Sequence, residues 1–243
     1  MRKFLLLTLS LATAFSVAFA QSSYLYKAKL VQAAPGKLLE LIDLYKSQAA
    51  GYAAAGDEAP LWMRHSQGDQ WDLFILVPMG SYREYYDANR IAQREQASQS
   101  QRELRQNIAD AIAWQEELFV YGPPLAEVRG RFAQASFFHV EIFVALAGKQ
   151  AALYQEREME NAYLRTLKRP ENMIFVRDQG AGWDLFTVNT FRDLKHYAEI
   201  VDVPEQDQEA AAKAAGFEGV KFIGAYLRSL INRHHDTLGT AIK

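Results

Sequence analysis

The sequence predicts an α+β protein made of two tandem repeats, each with the order strand-helix-strand-strand-helix-strand. The first observation is that residues 67–74, Gln-Gly-Asp-Gln-Trp-Asp-Leu-Phe, return as residues 179–186, Gln-Gly-Ala-Gly-Trp-Asp-Leu-Phe. The second is that the same offset, 183 − 71 = 112, aligns most of one half with the other, including Leu118 with Leu230. A period this long is a whole subdomain, so the pattern indicates a tandem duplication.

The N-terminus has the pattern of a secretory signal peptide. Arg2 and Lys3 precede an apolar run over residues 4–19, and small residues surround the exit at Ala20. We therefore expect cleavage after Ala20 and a periplasmic or secreted protein. The alternative is a membrane anchor, but the run is short for a span, and we expect no span after cleavage.

Composition narrows the class of partner. The formal net charge of −2 includes Arg2 and Lys3, so the mature chain carries −2 − 2 = −4. Without a polybasic stripe, the sequence predicts no nucleic-acid partner. The chain has no cysteine, so an exported form has to be stabilised by packed cores and not by disulfides. A small-molecule ligand fits this composition, with the protein as a monomer or a homodimer.

The strands are predicted from alternating apolar residues and from glycine loops. Residues 24–31 alternate aromatic and branched side chains with polar ones, which is typical of a strand. Two further strands in each repeat are joined by a short glycine loop, which predicts a hairpin. The predicted strands are 24–31, 61–65 and 71–77, and their counterparts are 136–144, 173–177 and 183–189.

Helices are predicted from apolar residues at helical spacing. A helix begins after Pro35, and its counterpart covers residues 149–167. A polar helix covers residues 88–103, and an apolar stripe predicts that a packed helix continues over 104–119. The remaining predictions are short helices near 82–86 and 194–197, an acidic loop at 202–208, two helices broken at Gly216, and final strands at 125–132 and 237–242.

This element order is the ferredoxin-like order. Together with the duplication and the Gly-x-x-Trp-Asp-Leu-Phe hairpin, it resembles the dimeric α+β barrel superfamily. That group includes antibiotic-biosynthesis and haem-degrading monooxygenases and chlorite-dismutase-like proteins. The resemblance implies two ferredoxin-like repeats, 21–134 and 135–243, packed as a fused barrel after a signal peptide at 1–20. It carries over no catalytic residue.

The predicted ligand site rests on which strand face enters the barrel. If the more apolar face lies under the helices, the barrel side receives charged residues from both repeats. One interpretation is a structural network of ion pairs, since a buried charge needs a partner. The other is a polar patch at the bottom of a ligand cavity. These residues are Lys27, Lys29, Asp72, His139, Glu141 and Asp184.

His139-x-Glu141 is the sharpest local feature of the sequence. Residues two apart on a strand point the same way, so both side chains can bind one metal ion or act as a base pair. The first repeat has Lys27 and Lys29 at these positions, a divergence that a single asymmetric site or simple drift would produce. Two ligands do not define a metal site, so a metal or a haem at His139 stays a hypothesis.

Two other polar groups are candidates of different kinds. His65 and Arg177 occupy equivalent positions near the hairpin loops, where they would suit an anionic ligand at the barrel mouth or be ordinary strand-end residues. The segment from His234 to Asp236 reads as a solvated helix end, where the histidines complement the helix carbonyls.

Three functions follow from these observations. The first is an exported protein that binds a small, partly apolar molecule in the cavity between the repeats. The second, implied by the resemblance alone, is a barrel-type monooxygenase or a haem-handling enzyme with His139 as axial ligand or base. The third is a non-catalytic envelope protein that docks a partner through the helix after Ala88.

Overall fold

The structure is a computed structural model that describes residues 24–242. Within that range the chain forms eight strands. The first half contributes β1 (Tyr24–Ala33), β2 (Leu61–Gln67), β3 (Leu73–Gly80) and β4 (Ile112–Gly122). The second half contributes β5 (Phe137–Ala145), β6 (Met173–Gly180), β7 (Leu185–Phe191) and β8 (Ile231–Ala241).

The helices connect these strands and cover their outer surface. In the first half they are α1 (Leu38–Ser47), α2 (Ala49–Ala54), α3 (Tyr82–Tyr85), α4 (Ala88–Ser100), α5 (Arg102–Asp110) and α6 (Leu125–Gln134). In the second half they are α7 (Gln150–Thr166), α8 (Leu194–Ala198), α9 (Glu205–Ala214) and α10 (Val220–Leu230), with a 3₁₀ helix at Glu199–Asp202.

The eight strands close into one barrel in the order β1-β3-β2-β8-β5-β7-β6-β4, and β4 returns to β1. Each half supplies a four-stranded antiparallel sheet. The two sheets join at two seams, where β2 pairs with β8 and β4 pairs with β6. This arrangement confirms the prediction of an α+β fold with two repeats packed as a fused barrel. The boundary between residues 134 and 135 stays a prediction.

The barrel interior is filled by apolar side chains from both sheets. Tyr26, Leu30, Phe74, Phe175 and Phe186 belong to one buried cluster that spans the two halves. The Phe74 and Phe186 rings lie 5.1 Å apart, and Phe175 stacks on Phe186 at 4.7 Å. The interior is therefore a packed core between the two sheets.

The repeated glycines explain how the seams close. Gly68 and Gly180 both adopt positive φ, at 118° and 96°. A Cβ on Gly180 would lie 2.7 Å from the Glu117 carbonyl oxygen, and one on Gly68 would lie 2.8 Å from the Thr237 Cα. Only glycine allows both this backbone conformation and this approach of the neighbouring strand.

Helix α6 closes the barrel end opposite the repeated hairpins. Val128 on this helix is fully buried in the interior cluster, and Phe132 packs on Phe138 at 5.0 Å. The Tyr26 hydroxyl donates a hydrogen bond of 2.7 Å to the Pro123 carbonyl just before the helix. The helix that links the two halves therefore plugs one end of the barrel.

Two predicted elements are wrong. The packed helix over 104–119 is two elements, because α5 ends at Asp110 and β4 begins at Ile112. Leu118 and Val120 face the interior at a spacing of two, which is a strand period that the neighbouring apolar residues mask. The predicted strand at 125–132 is helix α6, because its apolar face covers the barrel end.

One further prediction, in the second half, is wrong. The segment from His234 to Asp236 belongs to strand β8 and not to a helix end. Strand β8 begins at Ile231, directly after α10, and pairs with β5 along its whole length. The predicted strand at 237–242 is the second part of this longer strand. The apolar residues of α10 conceal the change from helix to strand because no glycine or proline separates them.

The predicted orientation of β1 and β5 is inverted, whereas that of β3 is confirmed, with Phe74 inside the barrel and Ile75 under the helices. The interior receives the apolar faces of β1 and β5, while Lys27, Lys29, His139 and Glu141 project outward under the helices. Both faces of each strand are covered, one by the opposite sheet and one by helices. Lys27 and Lys29 pair with Glu117 on the neighbouring strand β4, and Glu141 pairs with Arg157 on helix α7, so the polar face lies outside and the apolar face fills the barrel.

The proposed signal peptide lies outside the described residues. Between residues 24 and 242, no helix combines the length and the apolar character needed to span a membrane. The other strands and helices of the two repeats agree with the predicted ones to within a few residues.

Candidate functional site

The mouth pocket is a cavity of about 260 Å³ at the open end of the barrel. It takes equivalent residues from both halves, so it lies on the pseudo-twofold axis that relates them. Its lining includes Leu30 and its second-half counterpart Ile142, and Trp71 and its counterpart Trp183. The other lining residues are Asp69, Gln70, Trp114, Glu116, Val144, Gly182, Arg233 and His235.

The Trp-Asp pair of the repeated segment builds this mouth in the same way in both halves. The Asp72 carboxylate accepts a hydrogen bond of 2.8 Å from the Ala33 amide, and Asp184 accepts one of 2.8 Å from the Ala145 amide. Each aspartate therefore ties its hairpin to the end of the first strand of its repeat. Asp72 and Asp184, predicted as site residues, have a shared structural role.

Arg177 also braces a hairpin. Its guanidinium donates to the Ala181 carbonyl at 2.9 Å and to the Asp184 carboxylate at 2.9 Å. His65, at the equivalent position, packs edge-on against Trp71 with ring centroids 5.6 Å apart. The His65 Nε2 atom is buried and finds no hydrogen-bond partner among residues 24–242. Of this pair, His65 contacts a residue of the mouth pocket.

The last strand of each repeat obeys a different offset from the rest. Leu118 pairs with Ala28 on β1, and Thr237 pairs with Val140, the counterpart of Ala28, on β5. The structural offset is therefore 237 − 118 = 119, which is 119 − 112 = 7 residues longer than the sequence repeat. The predicted equivalence of Leu118 with Leu230 is wrong, because a longer helical segment precedes β8.

This corrected offset shows that the mouth pocket is chemically asymmetric. Trp114 in the first half corresponds to Arg233 in the second, and Glu116 corresponds to His235. The Trp183 Nε1–H donates a hydrogen bond of 3.0 Å to Glu116. Trp71 has His235 at the corresponding place, and its buried Nε1 finds no acceptor in the described part of the chain.

His235 has its own partner at the pocket rim. The Nδ1 atom of His235 lies 3.2 Å from the Asp69 carboxylate. The half of the pocket next to Trp71 thus combines the exposed Arg233 with a buried indole N–H that has no acceptor among residues 24–242. A buried donor without an acceptor costs about 1–3 kcal/mol, so this side of the pocket favours a ligand with an acceptor group.

A second open space, the helix-side cavity, lies between the first-half sheet and its helices. It has a volume of about 380 Å³, and Lys29, Tyr45, Gln48 and Ile75 are part of its lining. Lys29 forms an ion pair of 2.6 Å with Glu117. Burial raises the pKa of Tyr45, so its phenol stays protonated at neutral pH.

The equivalent space in the second half is filled by the Arg157 cluster, defined as Arg157, Glu141, Glu156 and Glu160. Arg157 is almost fully buried and lies 2.6 Å from Glu156, 2.6 Å from Glu160 and 3.4 Å from Glu141. Burial outweighs the Arg157 charge and raises the pKa of Glu160 to about 7. Burial also raises the pKa values of Glu141 and Glu156.

The two spaces differ in charge at matched positions. Through the offset of 112, Tyr45 corresponds to Arg157, since 45 + 112 = 157, and Gln48 corresponds to Glu160. Lys29 corresponds to Glu141 by the same sum. The first half therefore places lysines and an open cavity where the second half places carboxylates and a filled cluster.

His139 and Glu141 lie beside this cluster, and β8 adds Asp236 to them. One ligand atom from each of these three side chains lies within 4.8 Å of the others. Burial lowers the pKa of His139, so its imidazole is neutral at pH 7. The sequence predicted the pair, but Asp236 became visible as a third member only when β8 paired with β5.

Sequence reasoning missed Trp114, Glu116 and Arg233 as mouth residues. Residues 114 and 116 fall in the segment that was predicted as a helix, where alternate residues do not share a face. The alternation of Trp114, Glu116, Leu118 and Val120 is the signal that would have identified a strand facing the barrel. Helix α4 folds back on α2, with Arg94 bound to Asp57 at 2.8 Å, and its docking role stays a prediction.

Fold and site together define a fused dimeric α+β barrel, the fold that the element order predicted. An anthrone oxidase-like protein aligns at 10% identity over 92% of this chain and 93% of its own, with a TM-score of 0.56. A candidate monooxygenase from Lactobacillus acidophilus NCFM aligns at 7% identity over 90% and 93%, with a TM-score of 0.53.

A further candidate monooxygenase, from Fusobacterium nucleatum, aligns at 10% identity over 91% of this chain and 94% of its own, with a TM-score of 0.51. At these identities the likeness shows the fold alone. No family model and no curated protein matches the sequence.

Proposed function

We propose that this chain is an exported protein that binds a small aromatic molecule with a carboxylate or carbonyl group in the mouth pocket. The observation that carries the proposal is the buried Trp71 Nε1–H without an acceptor, on the side of the pocket that also holds Arg233. The equivalent indole of Trp183 is satisfied by Glu116. A ligand acceptor would give Trp71 the hydrogen bond that Glu116 gives Trp183 in the other half.

The chemistry of the lining supports this class of ligand. Trp114 is only partly buried and provides a flat apolar surface for an aromatic ring, and the more deeply buried Trp71 and Trp183 also line the pocket. Arg233 offers a planar set of donors that matches a carboxylate. The volume of about 260 Å³ limits the ligand to one or two fused rings.

Indole nuclear magnetic resonance tests the proposal directly. The chain has four tryptophans, so ¹⁵N-indole labelling gives four Nε1–H signals. Titration with 1-naphthoate should shift the Trp71 signal most, because this N–H gains an acceptor. Trp62 packs on Tyr45 outside the mouth and serves as the internal control. Equal shifts at all four indoles would reject the mouth pocket as the site.

Matched ligands and matched variants separate this site from non-specific binding. 1-Naphthylmethylamine has the same ring with a cation in place of the carboxylate, so it should bind more weakly than 1-naphthoate. Arg233→Gln should weaken naphthoate binding, whereas Arg64→Gln, an exposed arginine outside the mouth, should not. A similar loss in both variants would indicate a general effect of net charge.

Export is supported by the N-terminal pattern of the sequence. Expression of the full chain in a bacterium, followed by fractionation and N-terminal sequencing, tests it. We expect a periplasmic or secreted product that begins at Gln21. A membrane-bound product that retains Met1 would support the anchor instead.

An oxygenase is the second candidate, because the fold neighbours are an oxidase-like protein and candidate monooxygenases. Oxygen uptake with an aromatic ligand bound would support it, and its absence with a ligand that demonstrably binds would favour a binding protein. The haem-handling form has a separate test, since reconstitution with haem should give a Soret band that His139→Ala abolishes.

A further inference from the structure

We propose that His139, Glu141 and Asp236 bind a divalent first-row transition-metal ion, with Zn²⁺ as the best fit. These three residues, the His139 group, lie on the outer face of β5 and β8 beside helix α7. The site is separate from the mouth pocket, which lies inside the barrel end, so either proposal can fail without the other.

Convergence of the ligand atoms is the first argument. One imidazole nitrogen and two carboxylate oxygens lie within 4.8 Å of one another. Metal–ligand distances of about 2.0–2.4 Å place two ligands of one ion about 3–5 Å apart, depending on the angle between them. The Nε2 atom of His139 lies 3.8 Å from Asp236 Oδ1, which is too long for a hydrogen bond and within this range.

The second argument comes from the equivalent positions in the first half, where the chain supplies its own cations. Lys27 and Lys29 occupy the positions of His139 and Glu141, and Glu117 occupies that of Asp236. Glu117 Oε1 lies 2.6 Å from the Lys29 ammonium, and Glu117 Oε2 lies 3.7 Å from the Lys27 ammonium. In the second half both lysines are replaced, one by a metal-ligating imidazole and the other by a second carboxylate.

The surrounding Arg157 cluster does not supply the positive charge that the two lysines supply in the first half. Arg157 is bound to Glu156 and Glu160 at 2.6 Å each and reaches Glu141 only at 3.4 Å. One guanidinium therefore faces three carboxylates before Asp236 is counted. A buried carboxylate without a matching positive charge is costly, and a divalent ion would supply that charge at Glu141, which Arg157 reaches only weakly.

Neighbouring side chains hold the ligands in place, as expected around a metal ion. The Thr187 hydroxyl donates to Glu141 at 3.2 Å, and His234 Nε2 lies 3.2 Å from the other Asp236 oxygen. The Tyr197 ring packs beside the His139 imidazole with centroids 5.7 Å apart. Each of the three ligands therefore has a second contact that restricts its side chain.

The ligand types select the metal. An imidazole with two carboxylates suits Zn²⁺ or another first-row ion, whereas Mg²⁺ and Ca²⁺ favour oxygen ligands alone. We therefore expect Zn²⁺ to bind more tightly than Mg²⁺ or Ca²⁺. Co²⁺ should also bind and give visible d–d absorption bands whose intensity reports the coordination geometry.

Isothermal titration of Zn²⁺ into the mature chain, with any affinity tag removed, tests the proposal. We expect one ion per chain in the wild type. His139→Ala and Asp236→Asn should each weaken binding by more than about 10- to 100-fold, the loss typical of residues that only support a ligand. Asp236 is half exposed, so its variant keeps the test valid if His139→Ala does not fold.

Two control variants make the result specific. Glu117→Gln changes the residue equivalent to Asp236, and His196→Ala removes a histidine on helix α8 that is not part of the His139 group. Both should bind Zn²⁺ as the wild type does, with folding checked by circular dichroism. The proposal is overturned if the wild type binds no Zn²⁺ or if His139→Ala and Asp236→Asn bind it unchanged. Loss of binding in the control variants at the same level would also overturn it.

Discussion

Trp71 and Trp183 occupy equivalent places at the barrel mouth, but within residues 24–242 only the Trp183 indole has an acceptor, the Glu116 carboxylate at 3.0 Å. Both rings are almost fully buried, so the missing hydrogen bond is not replaced by contact with solvent. The difference arises because His235 replaces the carboxylate in the other half. A duplicated hairpin has thus kept its packing and lost one of its two polar contacts.

A matched pair of substitutions measures that difference. Trp183→Phe removes a hydrogen bond and leaves the partly buried Glu116 oxygen unpaired, whereas Trp71→Phe removes a donor without a partner among the described residues. Because the loss of ring volume is the same, we expect Trp183→Phe to be more destabilising by about 1–3 kcal/mol. Urea unfolding of both variants without added ligand checks this, and equal losses would contradict it.

Alanine at the seam glycines should be costly for two reasons. In Gly68→Ala and Gly180→Ala the new Cβ has to adopt positive φ and also meets the backbone of the neighbouring strand. Gly36→Ala and Gly148→Ala are the controls, since they also have positive φ but a Cβ there meets no described atom within 4 Å.

The controls should lose about 1–2 kcal/mol, the cost of the left-handed conformation alone. The seam variants should lose clearly more, because the two sheets have to separate locally. Thermal melting of the four variants gives the comparison. If the seam variants have the same melting temperature as the controls, the seams tolerate a wider spacing between the strands.

Removal of Arg157 should strongly destabilise the second half. In Arg157→Met the carboxylates of Glu156, Glu160 and Glu141 lose the one guanidinium that they share. We expect a loss of about 3–5 kcal/mol at neutral pH, because the buried carboxyl groups then have to stay charged without a partner or take up protons. The double variant Arg157→Met with Glu160→Gln should recover part of the loss in urea unfolding. A double variant no more stable than Arg157→Met would contradict this account.

Acid should weaken the ion pairs of the first half. Burial by itself would raise the pKa of Glu117, but its hydrogen bond to Lys29 and the charges of Lys29 and Lys27 hold that pKa below the usual 4.5. A depressed carboxyl pKa stabilises the fold above the unfolded value, and this contribution is lost as the pH falls below about 4.5.

The Glu117→Gln variant removes this titration. Its unfolding free energy should therefore fall less steeply than that of the wild type between pH 6 and the acid limit of folding. Denaturant unfolding at a series of pH values provides the measurement, and parallel pH profiles would show that the pair contributes nothing in acid.

Local sequence determined the hairpins of this protein and their repetition. Each residue of the repeated segment has one dominant structural role. The glycine allows the close approach of the strands at a seam, and the tryptophan ring is buried. The aspartate accepts a hydrogen bond from the end of β1 or β5. Such requirements act between neighbours in sequence or in one repeat, so they appear as a pattern of residues. Six of the eight strands were predicted from this pattern with small errors at their ends.

Tertiary structure decided which face of each strand is the interior and which residues meet at the sites. Both faces are covered, so the alternation of Lys27 and Lys29 with apolar residues did not reveal which side the helices take. The insertion of seven residues before β8 also hid the true partners of Glu116 and Glu117. Contacts such as that between His139 and Asp236 join residues almost 100 positions apart, and only strand pairing brings them together.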